Sequence, residues 1–397
     1  MAPTQPEVYI THSGRVSCPP DRLIELAYAV VKEQYVNQFQ DADRESVSKV
    51  TKTIEICGMM KTLLFHKAVK EKPEEAMKAL REEVMKAIKI DMWRPVHRSQ
   101  LSDEQRALIL PQMINYLEKY KPNMEFDNYK VRVLTSGDKQ WNVGESEGPV
   151  VRVESLYILL SNTAHEDLEV FKVDIGSAFM RTPMVDDVKH KWVKLDKRVL
   201  EILYELEPGK YEPFIEPDGT LIVEMMAISY GFVEAAYYFW KRLTNTFVSN
   251  GYIQSKKDKC VYIKREDGNI AYCGVTVDDS FFVKTRNPLW KKQQIDMLKN
   301  KYEEITIEEG DKLGLIGIQI KMDRENKQVH LTQKKNIERI FATFKPFKGA
   351  PTPALTSLMG DDTDSPLLKD QREFLSKCSQ LAFVSQRTYP EVRTATV

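Results

Sequence analysis

The sequence predicts an α+β fold, in which antiparallel strand pairs and amphipathic helices follow one another along 397 residues. Residues 271–284 (AYCGVTVDDSFFVK) have the pattern of a β-hairpin, because apolar residues alternate with small ones before the turn and return after it. Residues 313–322 and 328–331 predict another hairpin. Residues 73–89 predict an amphipathic helix opened by proline and two glutamates. Antiparallel pairs combined with helices of this kind indicate the α+β class.

The N-terminal third is predicted to be largely helical. Residues 21–35 and 46–69 have helical apolar spacing and precede the helix at 73–89. No arrangement of reactive side chains stands out before residue 72, so a packing role is the expectation for this segment.

Basic and aromatic side chains alternate between residues 105 and 142. Channels for single-stranded nucleic acid use this combination, and a solvated hairpin is the alternative interpretation. The residues are Lys119, Lys121, Lys130, Arg132 and Lys139, together with Tyr116, Tyr120, Tyr129 and Trp141.

An apolar strand at 170–173 delivers Asp174 at its end, after a predicted helix at 153–166. A Gly/Ser/Ala-rich turn follows, with Phe179 leading into a predicted short helix. Asp174 is interpreted either as the cap of that helix or as part of a site.

The remaining elements are mostly helices. Strand 221–226 precedes helix 235–250, and helix 288–301 follows the hairpin at 271–284. Helices are also predicted at 332–344 and 370–386, separated by a Pro/Gly-rich linker.

Two adjacent carboxylates, Asp278 and Asp279, are predicted in the turn of the hairpin at 271–284. Aspartates are common in turns, but both flanks here are apolar strands. Neighbouring carboxylates repel unless cations neutralise them, and hard divalent metals do this. We expect Asp278 to be the inner ligand and Asp279 the outer one. A second Asp-Asp pair at 186–187 lacks apolar flanks and is interpreted as a loop.

Composition excludes several classes. No run of 18 apolar residues or signal-peptide pattern is present, so neither a membrane span nor secretion is predicted. The five cysteines show no CxxC spacing, which favours a reducing compartment. Lys+Arg and Asp+Glu are equal at 58 each, so polyanion binding has to come from local patches.

Taken in order, these motifs resemble the reverse transcriptase of copia-type LTR retrotransposons, a segment of their Pol polyprotein. The core of the resemblance is D-x-x-x-A-F at 174–179, a Tyr-Gly motif at 230–231 and V-D-D at 277–279. Further matching stretches are MWRPVH (92–97), FDNYKVRVL (126–134), ISYGFVEAAYYFW (228–240), QSKKDKCVYIK (254–264), LGLIGIQI (313–320), LTQKKNIERIFATF (331–344), SPLL (365–368) and SQLAFVSQRTYPEVRTA (379–395).

The resemblance implies a right-hand polymerase with fingers, an antiparallel-sheet palm with helices on one face, and a partial thumb. Its expected divisions are a helical N-terminal extension or polyprotein junction (1–72), fingers (73–165), palm (166–325, with a fingers insertion at about 184–225) and the start of a thumb or connection (326–397). The chain is expected to stop before any RNase H domain. Neither an aspartic protease motif nor the zinc-ligand spacing of an integrase is present.

The resemblance also assigns nucleotide-binding roles. Lys130 and Arg132 are expected to bind the triphosphate. Phe179 resembles the steric gate that excludes the ribose 2′-hydroxyl, with a core position as the alternative. Gly231 is expected to allow close approach of the backbone to the nucleotide. Glu234 departs from the glutamine usual in the family, so the contact is rearranged or activity reduced.

The implied reaction is RNA-directed DNA synthesis by two-metal nucleotidyl transfer. Asp174 and Asp278 are expected to hold two Mg²⁺, which Mn²⁺ can replace, with Asp279 a weaker ligand. Leu313, Gly314 and Gly317 resemble the primer grip. The expected partners are an RNA template, a DNA primer, deoxynucleotide triphosphates and the integrase or RNase H segments of the same polyprotein. The expected location is a cytoplasmic virus-like particle, with the nucleus as alternative.

Two other interpretations stay open. In the first, the chain is a degenerate or co-opted copy that binds nucleic acid without catalysis. The departures of Thr276 and Glu234 from the usual family pattern support it. Alternatively, it is another two-metal nucleotidyltransferase palm, which leaves the stretches resembling a primer grip and thumb unexplained.

Overall fold

The computed structural model describes residues 60–120, 126–140, 145–184, 190–344 and 371–391. This part of the chain is a mixed α and β structure with two six-stranded sheets and one three-stranded sheet. The α+β class predicted from the sequence is compatible with it. None of the described helices is both long and apolar enough to cross a membrane.

The described strands are β1 (Met60–Leu64), β2 (Trp93–Val96), β3 (Leu110–Tyr120), β4 (Phe126–Thr135), β5 (Glu169–Ile175), β6 (Trp192–Lys194), β7 (Ile222–Met225), β8 (Ile253–Gln254), β9 (Val261–Glu266), β10 (Asn269–Thr276), β11 (Asp279–Lys284), β12 (Ile305–Glu309), β13 (Lys312–Leu315), β14 (Ile318–Asp323) and β15 (Gln328–Thr332).

The described α-helices are α1 (Phe65–Glu71), α2 (Pro73–Lys89), α3 (Asp103–Ala107), α4 (Val153–His165), α5 (Lys197–Leu206), α6 (Pro208–Tyr211), α7 (Ala235–Ser249), α8 (Pro288–Tyr302), α9 (Lys334–Phe344) and α10 (Gln371–Ser385).

The first six-stranded sheet has the order β1-β3-β6-β7-β2, with β4 paired to β3. Its strands pair antiparallel except for β3 with β6. Helix α2 packs against β4, and its apolar face, including Leu80 and Val84, enters the core of this sheet. The 17-residue amphipathic pattern that predicted α2 therefore corresponds to a helix with one face buried in the core and the other exposed to solvent.

The second six-stranded sheet has the order β12-β5-β11-β10-β9-β8 and is antiparallel throughout. Because successive strand residues point to opposite faces, the sheet has two distinct sides. On one side Phe171 and Phe282 stack at 4.8 Å and pack toward α7 and α8. On the other side Val170 and Phe281 pack toward α4 and the three-stranded sheet. The expectation of helices on one face only is therefore wrong, since apolar residues line both faces of β5 and β11.

The three-stranded sheet has the order β13-β14-β15 and is antiparallel. Ile316 and Gly317 form the tight turn between β13 and β14, with φ of 44° and 77°. Two left-handed residues in succession are the pattern of a type I′ hairpin turn. The stretch 313–322 is therefore a hairpin by itself, and residues 328–331 belong to a third strand rather than to its second arm.

Other element predictions were confirmed with shifts of one or two residues, namely the helices α2, α4, α7, α8, α9 and α10 and the strands β5, β7, β10 and β11. The helix predicted at 46–69 was wrong at residues 60–64, which form β1 paired to β3, and was confirmed at residues 65–69, which belong to α1. Its earlier part and the helix at 21–35 lie outside the described residues. Turns, not a short helix, follow β5 at 176–181. The domain boundaries at 72, 165 and 325 stay predictions.

Candidate active site

The pairing of β5 with β11 brings two of the predicted site residues side by side. Asp279, predicted in the turn, is instead the first residue of β11, and it is the direct partner of Asp174 in the register of these strands. Asp278 lies in the adjoining turn, and its carbonyl oxygen accepts a hydrogen bond from the Ile175 amide at 3.1 Å. Backbone pairing therefore gathers the three aspartates at one end of two neighbouring strands.

The turn that carries Asp278 is strained. Val277 has a φ of 52°, in the left-handed region that β-branched residues avoid. It precedes Asp278 in a two-residue connection between β10 and β11, where glycine is the favoured residue for a positive φ. Such a conformation costs on the order of 1–3 kcal/mol and persists only where surrounding structure enforces it. The sheet thus fixes the orientation of Asp278.

Burial and mutual repulsion disturb the protonation of these carboxylates. The pKa of Asp278 is raised, first by burial and then by Asp174, while Arg132 and Lys130 oppose the increase. Burial likewise raises the pKa of Asp279 to about 6, with Lys172 opposing and both other aspartates adding to the increase. The site therefore concentrates negative charge that a cation would stabilise.

One cation already contacts the site. Lys172 Nζ lies 3.6 Å from Asp279 Oδ1 and 3.1 Å from Glu308 Oε2. Burial lowers the pKa of Lys172, but the two carboxylates outweigh it and leave that pKa above its ordinary value. Sequence reasoning missed Lys172, although its position two residues before Asp174 places both side chains on one face of β5.

The strand β4 supplies the predicted triphosphate-binding residues. Lys130 and Arg132 are both close enough to act electrostatically on Asp278. The Arg132 guanidinium lies over the Tyr230 ring, 5.1 Å from its centroid. Burial lowers the pKa of Lys130, and nearby Lys119 lowers it further. Two basic residues of the first sheet therefore lie near enough to Asp278 to lower its pKa.

Phe179 is half-buried between the two larger cores. Its ring makes edge contacts with Tyr230 at 5.2 Å and with Phe239 at 6.0 Å between centroids. Tyr230 in turn interacts electrostatically with Asp174 and Asp278. Phe179 thus has a packing role and also borders the residues around the aspartates, so the role of steric gate stays a prediction.

Glu234 is buried and has two partners that sequence reasoning missed. Its Oε1 accepts from Lys191 Nζ at 3.1 Å, and its Oε2 accepts from Gln140 Nε2 at 2.6 Å. Gln140 also accepts a hydrogen bond from the Val233 amide at 3.0 Å. Burial raises the pKa of Glu234, but these contacts outweigh it and leave the pKa below its usual value. The charge of Glu234 is therefore compensated within the protein.

Gly231 has a structural reason to be glycine. Its φ is 90°, and a Cβ there would lie 2.2 Å from the carbonyl oxygen of Thr135. The preceding carbonyl, of Tyr230, accepts a hydrogen bond from the Thr135 amide at 2.8 Å. Close backbone packing against the end of β4 explains this glycine, and its predicted approach to a nucleotide stays a prediction.

The predicted primer-grip residues lie in the three-stranded sheet. Leu313 is buried in the core shared with β5 and β11. Gly314 has open space where a Cβ would be, whereas at Gly317 a Cβ would lie 2.7 Å from the Phe383 ring. Their contact with a primer stays a prediction.

The aromatic residues at 105–142 are partly internal. Tyr116 is fully buried and stacks on Tyr129 at 5.2 Å between ring centroids. A buried ring does not present a face for a nucleobase, so this member of the set packs within the protein. Lys121, Trp141 and the Asp-Asp pair at 186–187 lie outside the described residues.

Within the described ranges, no group of three His, Cys, Asp or Glu side chains is arranged to hold a metal ion. The aspartates supply the oxygen donors and the charge that Mg²⁺ prefers. The assignment of Asp174, Asp278 and Asp279 as metal ligands stays a prediction.

Comparison with known proteins finds similarity to transposon polyproteins. No family model matches it. It is 24% identical over 272 residues to the retrovirus-related Pol polyprotein from transposon TNT 1-94 of Nicotiana tabacum, covering 67% of this chain and 19% of that protein. It is 23% identical over 292 residues to the Pol polyprotein from transposon RE1 of Arabidopsis thaliana, covering 70% and 18%. Against that from transposon RE2 of the same plant the identity is 21% over 277 residues, covering 68% and 17%. The chain spans about a fifth of the length of these relatives, and it is similar to retrovirus-related Pol polyproteins of plant transposons.

Proposed function

We propose that the chain is the reverse transcriptase segment of a copia-type retrotransposon, an RNA-directed DNA polymerase that extends a primer by nucleotidyl transfer. The observation that carries this proposal is the pairing of Asp174 with Asp279 on the adjacent antiparallel strands β5 and β11. Asp278 lies beside them, in the turn between β10 and β11. The similarity to transposon Pol polyproteins supports it.

The right-hand architecture is part of this proposal. The second sheet, with β5, β10 and β11, corresponds to the palm, and the first sheet with its β3–β4 hairpin corresponds to the fingers. The three-stranded sheet packs through Leu313 onto the side of the palm that carries Asp174 and Asp279, as a primer grip requires. Helices α9 and α10 correspond to the beginning of a thumb.

The donor set is suited to a divalent cation, because Asp174 disfavours the ionisation of Asp278, and both disfavour that of Asp279, so a shared positive charge would stabilise the ionised forms. When bound by Asp174 and Asp278, Mg²⁺ or Mn²⁺ would supply the charge that activates the primer 3′-hydroxyl and stabilises the pyrophosphate leaving group. Asp279 also pairs with the ammonium group of Lys172, and this competing contact suits its proposed role as a weaker metal ligand.

The remaining side chains bind and orient the nucleotide. Lys130 and Arg132 face the aspartates and offset charge on the β- and γ-phosphates, since phosphoryl transfer depends on positioning and electrostatics. Phe179 borders the sugar and disfavours ribose. Glu234 does not repel the triphosphate as an unpaired carboxylate would, because Lys191 and Gln140 hold it.

The second candidate is a co-opted copy that binds nucleic acid without catalysis. The contact of Lys172 with Asp279 favours it, because an ammonium group placed there competes with a metal ion. The departure at Thr276 from the usual family pattern points the same way, whereas that at Glu234 does not, because its charge is compensated by Lys191 and Gln140. For the active enzyme, the proposed partners are an RNA template, a DNA primer, deoxynucleotide triphosphates and the integrase and RNase H segments of its polyprotein. The proposed location is a cytoplasmic virus-like particle, with the nucleus as alternative.

Primer extension on an RNA template with Mg²⁺ and deoxynucleotides tests the proposal. The matched variants are Asp278→Asn and Asp187→Asn, which make the same change in two different Asp-Asp pairs of the chain. We expect extension by the unaltered protein and by Asp187→Asn, and none by Asp278→Asn. Absence of extension in all three, with primer–template binding retained, would contradict catalysis and support the co-opted copy.

A further inference from the structure

A polar groove of about 680 Å³ lies between α7 and α8. These helices cover the side of the second sheet that carries Phe171 and Phe282. Asp174 points to the other side, because its position in β5 has the opposite parity. The groove is therefore separate from the candidate active site.

The lining of the groove is cationic and rich in amides. Among the lining residues that the structure describes, none is an aspartate or a glutamate. The chain as a whole has no net charge, so this local excess of positive charge is a property of the groove rather than of the composition. The charged and amide residues that line it are Lys241, Arg242, Lys301, Asn245, Asn250 and Asn300.

Two described carboxylates, one in α8 and one directly after it, have other partners. Glu303, directly after α8, pairs with Arg181 at 3.1 Å. Asp296 on α8 pairs with Lys292. Arg242 is held in place by its guanidinium over the buried Tyr302 ring, 5.6 Å from the centroid. Arg242 and exposed Lys301 thus offer positive charge from both walls of the groove.

The shape of the groove selects an elongated ligand. Tyr238, Arg242, Asn245 and Ser249 all line it and recur every three or four residues along one face of α7. The eleven steps from Tyr238 to Ser249 span about 17 Å at 1.5 Å per residue. The volume is within the range of about 300–1,000 Å³ that holds a small ligand, which suits one strand and not a duplex. A tyrosine ring and amides beside cations are the groups that bind bases and phosphates of single strands.

We propose that this groove binds a short segment of single-stranded nucleic acid, with Arg242 and Lys301 on its phosphates and Tyr238 and the asparagines on its bases. The site goes beyond the proposed polymerase function and does not depend on it. It would hold a strand on the side of the second sheet away from Asp174, as an unpaired template or displaced strand would require.

Salt-dependent binding of a fluorescent ten-nucleotide single-stranded DNA tests this proposal. Each lost phosphate contact reduces the slope of log K against log salt by about 0.7 for single strands. Arg242→Gln combined with Lys301→Gln is therefore expected to reduce the slope by about 1.4. Lys301→Gln alone, at an exposed position where folding is not at risk, is expected to reduce it by about 0.7. The control Lys292→Gln removes one exposed charge from the same helix outside the groove and leaves the slope unchanged.

A photo-crosslink locates the strand. An oligonucleotide containing 4-thiothymidine is expected to crosslink to peptides from 235–250 or 288–302. Asp278→Asn is expected to leave crosslinking and slope unchanged, which separates this site from polymerisation. Equal slopes in Lys301→Gln and Lys292→Gln, or crosslinks confined to other peptides, would overturn the proposal. Displacement of the crosslink by pyrophosphate at equal phosphate concentration would assign the groove to a free phosphate ligand instead.

Discussion

Removing Lys191 is expected to destabilise the fold, because it leaves the carboxylate of Glu234 buried without its cation. The two side chains are 10% and 7% exposed, and Lys191 Nζ lies 3.1 Å from Glu234 Oε1. Breaking such a pair costs roughly 3–5 kcal/mol. Since Gln140 keeps its hydrogen bond to Glu234, we expect Lys191→Met to lower the free energy of unfolding by about 3 kcal/mol.

Urea unfolding monitored by circular dichroism measures this cost. The double variant Lys191→Met with Glu234→Gln removes both charges and is expected to recover most of the loss, because no charge stays buried. Lys194→Met, an exposed change at the end of β6 three residues after Lys191, is the control and is expected to stay within about 0.5 kcal/mol of the unaltered protein. A loss below about 1 kcal/mol in Lys191→Met, or no recovery in the double variant, would refute the reasoning.

The same residues predict a dependence on pH. The folded state holds the pKa of Glu234 below its ordinary value of 4.5, with the hydrogen bonds and Lys191 overcoming burial. A depressed carboxylate pKa contributes stability that is complete above the unfolded pKa and lost as pH falls through the folded one. The stability difference between the unaltered protein and Glu234→Gln is therefore expected to shrink below about pH 4.5.

Three further outcomes are expected. Val277→Gly relieves the positive φ, so thermal unfolding should show equal or greater stability while primer extension falls, because Asp278 is less firmly oriented. Extension at the unaltered rate would show that the strain has no functional role. Gly231→Ala should lower the free energy of unfolding by at least about 2 kcal/mol, since its Cβ meets a backbone oxygen at 2.2 Å; a neutral change in urea unfolding would contradict this packing. Lys172→Met should raise the pKa of Asp279 further above about 6, as followed by carboxyl ¹³C chemical shifts; an unchanged pKa would exclude the contact.

Local sequence pattern predicted the elements that carry the site. Alternation of apolar residues identified the hairpin whose turn contains Asp278, and an apolar run identified the strand that carries Asp174. Both signals are short-range, because side-chain direction in a strand repeats every two residues. Polar residues between apolar strands then marked the aspartates as candidates.

The partners of these residues depend on long-range pairing and were not predictable in the same way. Lys172 reaches Asp279 only because β5 and β11 are neighbours in one register, across more than 100 residues of sequence. Lys191 and Gln140 reach Glu234 from 43 and 94 residues away in the sequence. Gly231 matched a motif, but its contact with the backbone of Thr135 follows from how two distant segments meet.

Direct detection of bound metal tests the proposed active site most closely. Electron paramagnetic resonance counts Mn²⁺ bound to the protein in the presence of primer–template, a chain-terminated primer and an incoming nucleotide. We predict two bound ions for the unaltered protein and for Asp187→Asn, and fewer for Asp278→Asn. An equal count in Asp278→Asn, or no bound ion in any variant, would contradict the assignment of the three aspartates as the metal site.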